Sequence, residues 1–180
     1  SSAMGCVSVA SDPLAFVSST LGPSTLTGRT KTNGQTKYQI IAHNMIFTKD
    51  GIVRGIDVDV KKLGAMWLQI WTPSASPANT FTLRHTRKIE FTVLGVQYYG
   101  VNDMEVRIGD VVGWWRDGNS LIGWKNGGGT KLKASKNLEN PVVIDTARTI
   151  GSDKDREYSL KISLSESTSA TAVFYSENQY

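Results

Sequence analysis

The chain has 180 residues, 39% hydrophobic and 20% charged, the size and balance of one globular domain built on a single core. Its net charge of +4 is only a mild basic excess, and no apolar run reaches the roughly 18 residues of a membrane span, so membrane insertion is not expected. The single cysteine, Cys6, excludes an internal disulfide and a zinc site built on thiolates.

Residues 1–36, rich in Ser, Thr, Gly and Pro, are predicted to form an extended arm packed on one β-sandwich domain of residues 37–180. Within the arm, Ser1 to Gly5 reads as a tag remnant, and no secretion signal is recognisable ahead of it. Beyond it, strands are predicted near 37–47, 52–60, 65–71, 80–85, 88–94, 104–108, 111–116, 120–124, 141–145, 158–164 and 169–176, with no helical stripe between them. That density of short strands predicts an all-β chain folded as a jelly-roll-like antiparallel sandwich.

From Ile56 onward, alternation sets Ile56, Val58 and Val60 against Asp57 and Asp59, then Met66, Leu68 and Ile70 against Trp67, Gln69 and Trp71. A hairpin closed by Lys61, Lys62 and Leu63, with Gly64 at a bulge, would face Val58 with Met66 and seat Asp57 beside Trp67. In residues 79–94 the apolar positions share one parity through His85 and Arg87, so a bend, bulge or turn is expected at His85 to Lys88. The run Arg84, His85, Arg87 and Lys88 emerging there is a candidate polyanion site, although solvated faces and loop tips are the favoured explanation.

Further on, "IGDVVGWWRDGNSLIGWK" predicts a hairpin turning at Asp117 and Gly118. Trp114 would pair with Leu121 on the core face, while Trp115 and Trp124 share the other. Gly113 and Gly123 would admit a ring or another backbone. Asp153, Asp155 and Glu157 in "SDKDRE" are the candidate ligands for calcium, a hard cation that takes several oxygens; no other cofactor is expected.

No catalytic motif is present: there is no Gly-x-Ser-x-Gly elbow, no His-Glu-x-x-His and no phosphate-binding glycine loop. The chemistry-bearing residues are aromatic. If Trp67, Gln69 and Trp71 lie on an outer face they form an indole strip on which sugar rings stack, with Asp57 bonding hydroxyls and Trp115 and Trp124 as further ligand candidates. If the arm or a second layer covers that face, the same residues belong to the core.

The order "DGIVRGIDVDV", "MWLQIW", "FTV" and "VRIGDVVGWW" resembles jelly-roll β-sandwich modules in the ectodomains of multidomain animal adhesion and recognition proteins. Its Gly-Asp before a late strand also recurs in modules of the C1q and tumour-necrosis-factor type. The resemblance implies structural roles for Gly109 and Asp110, and an extracellular or cell-surface, non-enzymatic module that binds glycan or protein ligands in cell adhesion. No collagenous stem or aromatic trimer signature accompanies it. The alternatives are a self-assembling surface protein and a glycan-active enzyme using Asp57 and Asp59; nucleic acid is not the favoured partner.

Overall fold

The computed structural model describes residues 16–168, which fold entirely as strands and connecting segments. Thirteen strands follow one another: β1 (Phe16–Leu21), β2 (Tyr38–Ile46), β3 (Gly51–Val60), β4 (Gly64–Pro73), β5 (Thr80–Phe91), β6 (Gly95–Val106), β7 (Val111–Arg116), β8 (Trp124–Lys125), β9 (Lys131–Ser135), β10 (Ala147–Thr149), β11 (Asp153–Asp155), β12 (Glu157–Tyr158) and β13 (Leu160–Ser167). They form an antiparallel sandwich of a four-stranded sheet, β1-β13-β3-β6, and a seven-stranded sheet, β10-β5-β4-β7-β2-β9-β11, with β12-β8 as a small ribbon. The sheets curl into a half-barrel. No helix among the described residues is long and apolar enough to cross a membrane. Cys6, Ser1 to Gly5 and the predicted strand at 169–176 lie outside the described residues.

The alternating residues read from the sequence meet between the sheets: Ile56, Val58 and Val60 from β3 face Met66, Leu68 and Ile70 from β4 in one buried cluster. The two strands do not pair with each other, however. β3 lies between β13 and β6, and β4 between β5 and β7, so Lys61, Lys62 and Leu63 connect the sheets instead of closing a hairpin. Facing across the core and facing across a ladder produce the same alternation. Asp57 therefore stands opposite Tyr98 and Lys161 on the outer side of the smaller sheet, away from Trp67.

Residues 80–91 form one strand without a turn at His85 to Lys88. The irregularity is a bulge: Ile70 pairs with His85 and Trp71 with Leu83, leaving Arg84 as the extra residue. One unpaired residue reverses the facing of everything before it. Ile89 and Phe91 point into the inter-sheet core, whereas Phe81 and Leu83 turn outward into a second buried cluster with Ile41, Trp71, Val111 and Ile150.

The hairpin expected at Asp117 and Gly118 does not form. β7 is a central strand held by β2 and β4, and Trp124 pairs instead with Tyr158, on β12. Six consecutive buried residues in β7 show that both its faces are covered, which two-faced alternation alone cannot distinguish from a hairpin arm. Residues 141–145 form no strand, and the arm supplies the edge strand β1 together with the buried Leu26 and Arg29. Gly123 meets that arm: a Cβ there would stand 2.1 Å from the Arg29 carbonyl oxygen.

Candidate functional site

The indole strip is a covered surface. Gln69 and Trp71 have no exposure at all, and Trp115 keeps only 5%. The segment after β9 lies over them, with Leu138 packed on the second cluster and its carbonyl accepting the Trp115 Nε1–H at 2.8 Å. Beneath it runs a polar chain: Trp71 Nε1 and Gln39 Nε2 donate to Gln69 Oε1 at 3.1 and 2.7 Å, and Arg148 Nη1 donates to Gln39 Oε1 at 2.8 Å. Trp67 alone of the strip stays half-buried, edge-on to Trp115 and capped by Lys88. The alternation shows that these residues share a face; it carries no information on a cover that arrives seventy residues later.

The basic run is dispersed by the strand that carries it. Arg84 pairs with the buried Asp110 at 2.8 Å, Arg87 with Asp103 at 2.6 Å and Lys88 with Glu90 at 2.9 Å. His85 is half-buried, and burial followed by the neighbouring Arg84 charge lowers its pKa. Asp110 also accepts from the Arg107 amide and the Thr72 hydroxyl, so Gly109 and Asp110 tie the turn before β7 to the sheet. The acidic residues disperse likewise: Asp153 pairs with Lys133 at 2.6 Å, Asp155 accepts from the Gly129 amide at 3.2 Å, and Glu157 binds Arg29. Among the described residues no group of three potential ligands converges on a cation position.

What the fold does bring together lies where the end of β2 approaches the end of β1. The β2 ladder is interrupted between Ala42, opposite Val112, and Ile46, opposite Val111. Residues 43–45 leave the ladder there, and Asn44 and Met45 border a cleft of about 270 Å³ between this end of β2 and the end of β1. Leu21 and Pro23 form the far wall, Trp114, Leu132 and Tyr158 the apolar floor, and Arg156 and Glu157 the charged side. Trp114 meets Tyr158 edge-on at 5.2 Å.

Arg156 is fixed from three directions. Its Nη1 donates to the hydroxyls of Tyr38 and Tyr158, each at 3.1 Å, and its guanidinium lies 4.1 Å over the Trp124 ring. On either side the pattern repeats, with Arg116 over Tyr38 and Lys31 over Trp124, so cations and rings alternate along this edge. Of the sequence candidates, Glu157 lines this cleft, and Trp124 supports it through Arg156 without lining it. Trp67, Gln69, Trp71 and Trp115 lie on the opposite face of the larger sheet, and Asp57 lies on the smaller one. Arg156, Tyr158, Trp114, Asn44 and Met45 had no local motif to mark them.

Burial pushes the Tyr158 phenol up from 10.0 to about 12, with the Arg156 charge pulling it back. A raised folded pKa gives stability that is complete below the unfolded pKa and disappears as pH rises through the folded one. Between pH 10.0 and about 12 the chain is therefore expected to lose about 2 kcal/mol. Absorbance at 295 nm during a pH titration checks this: the Tyr158 step is expected near pH 12, and its ionisation near 10.0 with the chain still folded would contradict it.

No family model, curated protein or solved structure matches the chain.

Proposed function

We propose that the chain is a non-enzymatic recognition module of the cell surface or matrix, acting in adhesion and seating a glycan ligand in the cleft bordered by Asn44 and Met45. The observation that supports this reading is the cleft's composition: an aromatic and aliphatic floor beside a fixed guanidinium, a carboxylate and an exposed amide. Sugar rings match that pairing, since their C–H faces pack on rings while their hydroxyls exchange hydrogen bonds with a few placed polar groups. The strand scaffold holds the floor, and the irregular segments carry the rim, the usual division in binding modules.

A panel of neutral oligosaccharides, titrated calorimetrically against the chain and against Asn44→Ala and Met45→Ala, tests the reading. Asn44 is exposed, and Met45 is half-buried against the edge of the core, so a thermal melt of each variant accompanies the titration to confirm that it is folded. At least one sugar is expected to bind, with each substitution weakening it about fivefold or more, the loss of a hydrogen bond or a packed side chain. Absence of binding at millimolar sugar, or affinities that neither substitution changes, would overturn it.

A further inference from the structure

Next to the cleft, and sharing Arg156 with it, is a second depression of about 330 Å³ whose lining differs in kind. Lys136 and Lys154 stand with Arg156 around it, accompanied by Ser135, Ser152 and Gln35. No carboxylate lines it. Lys37, Lys61, Arg84, Arg87, Lys88, Lys125 and Lys133 each face an acid, whereas these three cations line one depression without one. Among the described residues, Lys136 and Lys154 make no ion pair, and the Nη2 and Nε of Arg156 make no hydrogen bond.

Local register accounts for the concentration of charge. Lys154 pairs with Leu132, a core residue, and Lys136 follows the inward Ala134 at strand spacing, so both belong to the concave side of the larger sheet where it runs out of partner strands. Arg156 is held in place by Tyr38, Tyr158 and Trp124 without a counter-ion. Three cations lining one depression with two serines and an amide, one of them preorganised, are the residue types that receive an oxyanion.

We propose that this groove binds a singly charged oxyanion carried on a sugar, a sulfate ester or a carboxylate, so that the module selects acidic glycans, with the ring in the cleft and the anion beside Lys136 and Lys154. The inference rests on the recognition reading above and adds a substrate class to it. Arg156 is the shared wall and aligns the two halves of the ligand.

The test titrates the chain with a sulfated uronic-acid oligosaccharide, its desulfated counterpart, a neutral oligosaccharide of equal length and a single-stranded oligonucleotide of equal charge. Lys136→Ala and Lys154→Ala are each expected to weaken the acidic sugar about threefold to fivefold, the range of partly exposed charge contacts, and to leave the neutral sugar unchanged. Lys131→Ala, outside the groove, should change neither. Retention of affinity after desulfation assigns the carboxylate as the bound group, and its loss assigns the sulfate. If neutral sugars bind and acidic ones gain nothing, the groove proposal falls while the cleft reading stands. If acidic sugars bind with the expected lysine dependence and neutral ones do not bind, the groove stands alone. An oligonucleotide that binds as tightly with the same lysine dependence, or an acidic sugar indifferent to both substitutions, would overturn the proposal.

Discussion

Replacing Trp71 with alanine is expected to remove about 3–5 kcal/mol of stability, the cost of deleting a large buried aromatic without a partner to fill the void. Trp71 is fully buried at the centre of the outward cluster with Ile41, Phe81, Leu83, Val111 and Ile150. Its Nε1–H also satisfies Gln69, itself without exposure. For a domain stable by roughly 5–15 kcal/mol, that loss takes a large share of the total. Urea unfolding would show the midpoint moving to much lower denaturant. An unchanged midpoint would mean that the outer face is no second core.

Gly113→Ala is expected to cost about 1–3 kcal/mol through overpacking, although it adds only one carbon. A Cβ at this position would stand 2.6 Å from Trp71 Nε1 and 2.8 Å from the Ile40 carbonyl oxygen. β7 is hydrogen-bonded on both sides, to β2 and β4, so its backbone cannot retreat. The two sites share an obstacle, and their effects should not add. In a Trp71→Phe background the smaller ring frees space, and the cost of Gly113→Ala should fall by about 1 kcal/mol. Equal costs in both backgrounds would exonerate the indole and leave the Ile40 carbonyl as the sole clash.

The sequence is legible wherever one strand's pattern suffices. The inward faces of β3 and β4 lie where alternation predicts, and Gly113 and Gly123 do admit a ring and another backbone. Partners are illegible, because Ile56 and Leu68 alternate in the same way whether they face each other across a core or across a ladder. Bulges are the second source of error. Arg84 carries no sign that it is the unpaired residue, yet it decides that Phe81 and Phe91 belong to different clusters. The cleft was hidden for a third reason: Asn44, Trp114 and Arg156 come from distant parts of the chain and meet only after both sheets curl.

The connections of this sandwich bear on how quickly it can be reached. Among the described strands, only β4 and β5 are neighbours both along the chain and within a sheet. β1 must find β13 at the other end of the sequence, β2 must find β7 and β9, and even the adjacent β5 and β6 part company into opposite sheets. Each of those ladders begins only after a long loop has closed and lost its entropy. Such a topology belongs with proteins that fold in milliseconds to seconds, however stable the finished state. During that interval the Trp71 face lies uncovered until the segment carrying Leu138, distant along the chain, closes over it.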